Sequence, residues 1–206
     1  KVFKSMKKKC LISIIIPTYK RVQKLKRAVD SVINQTFTNW EIIIIDNNSG
    51  DGTKELIFNY KNPKIKILFI KNNGNIAKSR NMGIKYSKGK YIALLDSDDV
   101  WSVNKLQICI KELNKKIKIV YHDMYIQKSL NQIIYKKSGM CRNLKKPIYN
   151  DLIFNGPAFP TSSVIIEKSI FQKIGFFDDK KNLITWEDYD AWIRLSTINE
   201  GYKKIN

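Results

Sequence analysis

Four short, almost uninterrupted apolar segments in the first half of the chain alternate with segments whose apolar residues recur every three or four positions. The apolar segments are Leu11–Ile16, Glu41–Ile45, Ile65–Ile70 and Tyr91–Leu95. Runs of this kind are typical of strands buried on both faces of a parallel sheet, and the periodic segments are typical of amphipathic helices. The alternation predicts an α/β fold with a mostly parallel central sheet flanked by helices and right-handed crossovers.

The second half of the chain is less regular and predicts a small hairpin or antiparallel element. Ile117–Tyr121 and Ser163–Glu167 have the composition of strands, and Met124–Gln127 and Ile133–Lys137 have that of the two arms of a hairpin. An amphipathic helix is expected over Glu187–Asn199. The 206 residues contain no internal repeat and no linker rich in Pro, Gly and Ser, so we expect one domain.

The net charge of the chain is strongly positive, because 38 Lys and Arg residues face 18 Asp and Glu residues, which gives +20. The lysines are scattered and no nucleic-acid-binding motif occurs, so a nucleic-acid partner is not expected. A basic face towards anionic lipid or a phosphorylated substrate is a more plausible interpretation than nucleic-acid binding, and an ordinary solvated surface is the alternative. The densest lysines are Lys128, Lys136, Lys137, Lys145 and Lys146.

Cysteine content and hydropathy indicate the cellular compartment in which the protein is expected. The three cysteines are widely spaced and form no CxxC pair, which argues against a disulfide framework and a zinc knuckle. No apolar run approaches the roughly 18 residues that a membrane-spanning helix needs. The apolar stretch behind the basic N-terminus is too short for a signal peptide. We therefore expect a cytoplasmic chain.

Polar and acidic side chains follow three of the four predicted strands. Ligands bind beyond the carboxyl ends of the strands in open α/β sheets, so these side chains are expected to share one crevice. Neighbouring carboxylates repel one another unless a cation or hydrogen bonds compensate, and Mg²⁺ is often held by one or two carboxylates together with substrate phosphates. The pattern therefore predicts a metal–diphosphate site, although capping of the next helix explains Asp99 in part. The residues are Pro17, Thr18 and Tyr19 after the first strand, Asp46 and Asn47 after the second, and Asp96, Asp98 and Asp99 after the fourth.

A second group of acidic and aromatic residues occupies the segment Trp186–Trp192. Glu187 and Asp188 open a predicted helix, where the helix dipole favours acids, so their presence alone has a structural explanation. The aromatic side chains, Trp186 among them, belong either to the core or to a wall that stacks on a sugar. The rigid loop Gly156–Pro160 is expected to shape an acceptor pocket.

Several other enzyme classes lack their signatures in this sequence. There is no phosphate-binding GxxxxGK[ST] loop and no dinucleotide-binding GxGxxG after the first strand. His122 is the only histidine and no GxSxG motif occurs, so a Ser-His-Asp triad is not expected. Cys109 lies among apolar residues of a predicted helix, and core packing is the better interpretation.

Six segments, taken in chain order, resemble the family 2 inverting glycosyltransferases with the GT-A fold. Each segment is modest evidence by itself, but the ordered set spans nearly the whole chain and is highly specific. The matching segments are Ile14–Tyr19, Ile43–Thr53, Ala77–Gly83, Gly89–Asp99, Gly175–Asp178 and Glu187–Trp192.

The resemblance implies a donor-binding role for residues of the first half. Pro17–Tyr19 are expected to line the pocket for the nucleotide base, and Asp46 to accept a hydrogen bond from the uracil ring N–H. Arg80, with Asn81 beside it, is expected to face the nucleotide and its diphosphate. Asp96 is similar to the acid that contacts the ribose.

The resemblance also implies a metal ligand and a catalytic base. Asp98 is similar to the acid that binds Mn²⁺ or Mg²⁺, and Asp188 to the general base, with Glu187 as its neighbour. The supporting residues are Asn47, Asp99, Glu187 and Trp186.

The implied activity is transfer of a sugar from a nucleotide-diphosphate donor, a UDP-sugar, to a hydroxyl of a glycan or lipid-linked acceptor. The expected setting is synthesis of bacterial surface polysaccharide, glycolipid or glycoprotein glycan, with peripheral contact to the inner face of the cytoplasmic membrane. Residues 10–100 would bind the nucleotide and residues 101–206 the acceptor. Because family members usually continue into further helices, a C-terminal part of the full protein is expected to be absent.

Two alternatives remain open from the sequence. One is a sugar-nucleotide nucleotidyltransferase, which generally needs a Gly-rich basic loop after the first strand, whereas Pro17–Arg21 contains no glycine. The other is a non-catalytic module that binds a polymer through its basic surface.

Overall fold

A computed structural model describes residues 11–126, 136–137, 141–180, 185–198 and 200–205. The strands are β1 (Ile12–Thr18), β2 (Trp40–Asp46), β3 (Ile65–Phe69), β4 (Tyr91–Leu94), β5 (Ile117–His122), β6 (Tyr125–Ile126), β7 (Lys136–Lys137), β8 (Ile165–Glu167) and β9 (Gly201–Ile205). The helices are α1 (Val22–Ile33), α2 (Thr53–Asn59), α3 (Ile76–Tyr86), α4 (Lys105–Glu112), α5 (Ile148–Asn155), α6 (Lys168–Lys173) and α7 (Glu187–Ser196), and a single 3₁₀ turn covers Thr161–Ser163.

Seven of these strands form one sheet in the order β3-β2-β1-β4-β8-β5-β9. Strand β8 runs antiparallel to both of its neighbours, β4 and β5, while every other pairing in this sheet is parallel. The sheet therefore confirms the expected mostly parallel α/β architecture. Because β8 is reversed, the residues that precede it lie at the carboxyl end of β4.

The continuous apolar runs are explained by burial of both faces of the sheet. In β1, the side chains of Ile12, Ile14 and Ile16 belong to one core cluster, and that of Ile15 belongs to the cluster on the other face. Alternation of side chains along a strand produces this division. Burial of both faces leaves the ends of the strands as the places where polar groups can meet a ligand.

Helix α3 packs unusually close to the sheet at Gly83. A Cβ atom added there would lie 2.5 Å from Cγ2 of Ile15 and 2.8 Å from Cδ1 of Ile45. A glycine at this position lets the helix backbone approach β1 and β2 directly. The same close approach fixes the position of Arg80, which lies about one turn earlier in the helix.

The expected hairpin is confirmed where it is described, since Tyr125 pairs with Lys137 and Ile126 with Lys136 in antiparallel register. Residues 127–135 of that segment, including Lys128, lie outside the described residues. The helix that follows the Asp96–Asp99 segment is α4, over Lys105–Glu112, and the helix expected over Glu187–Asn199 ends earlier, at Ser196.

Helix α5, strand β9 and the 3₁₀ turn were not predicted. Strand β9 pairs with β5, and a Cβ atom at Gly201 would lie 2.1 Å from the carbonyl oxygen of Lys116, so this pairing requires glycine at the start of the strand. Within the described ranges, no helix is both long and apolar enough to cross a membrane.

Candidate active site

A cavity of about 330 Å³ opens at the carboxyl ends of β1, β2 and β4. This volume is at the lower end of the range for small-molecule sites. The structure brings together here six of the residues predicted from the sequence. The predicted residues that line the cavity are Pro17, Thr18, Tyr19, Asn47, Asp96 and Asp98.

One end of the cavity carries features suited to a planar polar ring. Tyr19 exposes about half of its side chain, and the buried hydroxyl of Thr18 has no hydrogen-bond partner among the described residues. Asn47 is held by the backbone N–H of Asn72, which donates to its Oδ1 at 2.9 Å. An aromatic face, a free hydroxyl and a fixed amide can together stack on a base and hydrogen-bond to it.

Asp46 lies outside the cavity lining, although it ends the neighbouring strand β2. Its side chain is 2% exposed and accepts hydrogen bonds from the hydroxyl and the backbone N–H of Ser49, the latter at 3.2 Å to Oδ1. These bonds fold the loop that follows β2. The expected contact between Asp46 and a uracil ring stays a prediction.

The segment Asp96–Asp99, which we call the donor loop, is neutralised by basic side chains. Nη1 of Arg21 lies 2.9 Å from Oδ2 of Asp98, and Nζ of Lys24 lies 3.8 Å from the same oxygen. Burial raises the pKa of Asp99, and the nearby charges of Asp96 and Asp98 raise it further, against a hydrogen bond from Ser162. The carboxylates of the donor loop therefore repel one another, as expected from the sequence, and the basic side chains of Arg21 and Lys24 offset part of this repulsion.

No group of three or more His, Cys, Asp or Glu side chains in the described part of the chain could enclose a metal ion. Asp98 nevertheless fits a metal that is shared with a ligand, because its carboxylate is 40% exposed and lines the cavity. One or two carboxylates plus substrate phosphates is the usual arrangement for Mg²⁺ in proteins.

Arg80 connects the donor loop to the acidic pair at the start of α7. This residue is 3% exposed, and its guanidinium lies 3.0 Å from Oδ1 of Asp96 through Nη2 and 2.7 Å from Oε1 of Glu187 through Nη1. Burial opposes the positive charge, but the carboxylates of Asp96, Glu187 and Asp188 together raise the pKa of Arg80, so it is a cation.

Asn81, the neighbour of Arg80, bonds to the backbone of Phe177. Its Nδ2 donates to the carbonyl oxygen of Phe177 at 2.8 Å, and its Oδ1 accepts from the N–H of Phe177 at 3.0 Å. It is not among the residues that line the cavity. In this structure Asn81 holds the Gly175–Asp178 segment against α3, and its expected contact with the nucleotide stays a prediction.

Asp188 is half-buried and both of its carboxylate oxygens are held. Oδ2 accepts from the hydroxyl of Thr161 at 3.0 Å, and Oδ1 accepts from the backbone N–H of Tyr189 at 2.7 Å. Each carboxylate oxygen can accept two hydrogen bonds, so accepting capacity remains for a substrate hydroxyl.

The 3₁₀ turn before β8 was missed by the sequence reasoning, although it touches both acidic segments. Oγ of Ser162 accepts from the backbone N–H of Asp96 at 2.9 Å, next to the bond from Thr161 to Asp188. The carbonyl oxygen of Ser162 accepts from the indole N–H of Trp101 at 2.9 Å and lies 3.3 Å from Nζ of Lys105. Knowledge that β8 is antiparallel would have placed these two hydroxyls beside the donor loop.

The aromatic residues of α7 divide between the core and the surface. Trp192 is 1% exposed and its ring centroid lies 5.0 Å from that of Phe159, so it belongs to the core. Trp186 is 59% exposed and precedes the acidic pair directly. Tyr189 bridges to α5 through its hydroxyl, which donates to the carbonyl oxygen of Leu152 at 2.6 Å.

Two other titratable side chains, those of His122 and Cys109, are not among the residues that line the cavity. Burial lowers the pKa of His122 to about 4, with repulsion from Lys105 as the next contribution. Cys109 is 1% exposed, which confirms core packing.

Most of the chain is similar in sequence to known proteins. The family model for glycosyl transferase family 2 matches residues 13–175. The E. coli protein named UDP-Glc:alpha-D-GlcNAc-diphosphoundecaprenol beta-1,3-glucosyltransferase WfgD is 30% identical over 199 residues, which are 93% of this chain and 74% of that protein.

Two solved structures share the fold at low sequence identity. S. aureus TarS, residues 1–349, superposes with a TM-score of 0.75 and 19% identity over 95% of this chain and 58% of that one. The mannosyltransferase PcManGT from Pyrobaculum calidifontis, in complex with GDP-Man and Mn²⁺, gives a TM-score of 0.70 and 16% identity over 97% of this chain and 55% of that one. This chain thus spans little more than half of either neighbour.

The matched region covers β1 to α6 and contains the donor loop, Arg80 and the 3₁₀ turn. These matches confirm the GT-A architecture and the enzyme class that the six segments suggested. The chain belongs to glycosyl transferase family 2.

Proposed function

We propose that this chain carries the catalytic site of a metal-dependent inverting glycosyltransferase that uses a UDP-sugar. The observation that carries the proposal is the arrangement around Arg80: one buried guanidinium bonds both Asp96, at the cavity, and Glu187, beside Asp188. A donor site and a candidate base are thereby held on one rigid frame, which is the positioning that a displacement reaction requires.

The donor is assigned to the cavity. The nucleotide base stacks on Tyr19 and hydrogen-bonds to Thr18 and Asn47, with Asp46 behind them, while Asp96 receives the ribose. Asp98 is the residue that would hold Mn²⁺ or Mg²⁺. When bound, such an ion neutralises the charge that develops on the leaving diphosphate. Arg21, which lines the same cavity, adds a fixed positive charge.

The base is assigned to Asp188. In the proposed reaction its carboxylate takes the proton of the acceptor hydroxyl while that oxygen bonds to the anomeric carbon and the bond to the diphosphate breaks. Attack from the face opposite the leaving group inverts the anomeric configuration, so an α-linked donor gives a β-linked product.

The acceptor is proposed to be a glycan or lipid-linked sugar of bacterial surface polysaccharide, glycolipid or glycoprotein synthesis. Support comes from the name of the E. coli relative, which specifies an undecaprenol-diphosphate acceptor. On this proposal residues 10–100 bind the donor, residues 101–206 bind the acceptor, and the enzyme works at the inner face of the cytoplasmic membrane. Peripheral membrane contact is assigned to exposed Lys145 and Lys146 together with the exposed α5 side chains Tyr149 and Phe154.

A two-stage experiment tests the proposal. Thermal shift with UDP-, GDP- and dTDP-sugars, each with and without Mn²⁺, should show stabilisation by a UDP-sugar that depends on the ion. The stabilising donor is then incubated with a GlcNAc-diphospholipid acceptor, and the product linkage is determined by NMR. A β linkage from an α-configured donor is expected. An α linkage would overturn the inverting mechanism, and binding of glycan without turnover would favour the non-catalytic module.

A further inference from the structure

The reversed strand β8 delivers two consecutive hydroxyl side chains to the active edge of the sheet. Ile165 of β8 pairs with Ala93 of β4, and the chain preceding β8 continues past the carboxyl end of β4. Thr161 and Ser162 therefore lie beside the donor loop, although more than 60 residues separate them from it in sequence. Both residues are buried, at 3% and 0% exposure.

These two neighbours hold different parts of the proposed machinery. Oγ of Ser162 accepts from the backbone N–H of Asp96 at 2.9 Å. Thr161 donates to Oδ2 of Asp188 at 3.0 Å. The Thr161–Ser162 turn thus holds both the donor loop and the proposed base. These contacts are separate from the ion pairs that Arg80 makes with Asp96 and Glu187.

The Thr161–Ser162 turn is itself held by Trp101 and Lys105. The carbonyl oxygen of Ser162 accepts from the indole N–H of Trp101 at 2.9 Å, and the ammonium of Lys105 lies 3.3 Å from that oxygen and 3.3 Å from the centroid of the Trp101 ring. Helix α4 and the segment before it therefore prevent the turn from shifting relative to the sheet.

We propose that Thr161 is a positioning residue for the general base, an inference that rests on the proposed function. Its hydroxyl fixes the rotamer of Asp188, and the Tyr189 N–H fixes the second oxygen. The remaining lone pairs then keep one orientation relative to the donor loop, which the adjacent Ser162 holds. Displacement of a catalytic group by about 1 Å costs about 10²-fold in rate, which is the effect this contact prevents.

Isosteric substitution separates positioning from general stability. Thr161→Val removes the hydroxyl and keeps the side-chain volume, whereas Thr161→Ser keeps the hydroxyl. Thr53→Val is the matched control, because Thr53 is also buried and donates to a carboxylate, that of Asp51 at 2.6 Å, at the start of α2. With UDP-glucose, Mn²⁺ and a GlcNAc-diphospholipid, we expect Thr161→Val to lower kcat about 10- to 100-fold while KM for the donor changes less than about twofold. Thr161→Ser should restore most of kcat, and Thr53→Val should leave it unchanged.

A second measurement is independent of turnover. Urea midpoints are determined for Thr161→Val, Asp188→Ala and the double variant. If Thr161 holds Asp188, the double variant shifts by clearly less than the sum of the two single shifts. Additive shifts, or a kcat for Thr161→Val equal to that of the wild type, would overturn the inference. A wild-type chain that transfers no sugar, with midpoints that are still non-additive, would refute the proposed function and keep the contact between Thr161 and Asp188.

Discussion

Removal of the Arg80 guanidinium should destabilise the fold strongly. The side chain is 4% exposed and its partner Glu187 is 7% exposed, so Arg80→Met leaves a carboxylate buried without its cation. Breaking a buried ion pair from one side costs about 3–5 kcal/mol. Since natural domains have a free energy of unfolding of about 5–15 kcal/mol, this is a large share of the total.

The assay is urea denaturation of the wild type and three variants, with the free energy of unfolding obtained by linear extrapolation. Arg80→Met should lose about 3–5 kcal/mol, but Arg80→Met with Glu187→Gln should lose only about 1–3 kcal/mol, because a buried amide without a partner costs less than a buried charge. Lys26→Met is the control, since the Lys26–Asp30 pair is exposed and its loss costs less than about 0.5 kcal/mol. A loss below about 1 kcal/mol for Arg80→Met, or a double variant no more stable than the single one, would show that the buried Glu187 carboxylate does not depend on the Arg80 cation.

Three further predictions concern the metal, the buried lysine and the close helix contact. Asp98→Asn should weaken binding of a UDP-sugar at least about tenfold and abolish its dependence on Mn²⁺, measured by calorimetry, because the exposed carboxylate is the group left to hold the ion; unchanged Mn²⁺ dependence would contradict this. Burial lowers the pKa of Lys105 to about 7, so between about pH 7 and 10.5 the unfolded chain binds a proton that the folded chain lacks. The free energy of unfolding of the wild type should therefore rise with pH across that range relative to Lys105→Met, and a constant difference would show that Lys105 is not desolvated. Gly83→Ala should lower the free energy of unfolding by about 1–3 kcal/mol, because its Cβ would overlap Ile15 and Ile45; an unchanged urea midpoint would show that α3 can move away from the sheet.

The first four strands could be predicted from sequence because their physics is local. A run such as Ile14–Ile16 is apolar at every position only if both faces of the strand are covered, and this is how β1 is buried. The sequence predicted strand β8 but not its direction, and it did not predict β9 or α5. Strand β8 has three residues, too few to encode its reversal, and β9 depends on the fit between Gly201 and Lys116, which are 85 positions apart.

The candidate site shows the same division between local and long-range information. The position of a residue directly after a strand placed Thr18, Asn47 and Asp98 at the cavity. It could not show that the Asn81 amide is engaged by the backbone of Phe177, or that Thr161 reaches Asp188, because those contacts depend on how distant segments pack. Hydroxyl residues before a short strand carry no distinctive pattern, so Thr161 and Ser162 became visible only with the sheet order known.

The most direct test of the central claim is single-turnover transfer by Asp188→Asn, with donor affinity measured on the same preparation. The variant keeps the shape of the side chain and removes its capacity to take a proton. Loss of a general base typically lowers the rate by about 10²–10⁴-fold, so we expect such a fall in transfer, with UDP-sugar affinity within about twofold of the wild type. Transfer at the wild-type rate by this variant would show that the acceptor proton leaves by another route.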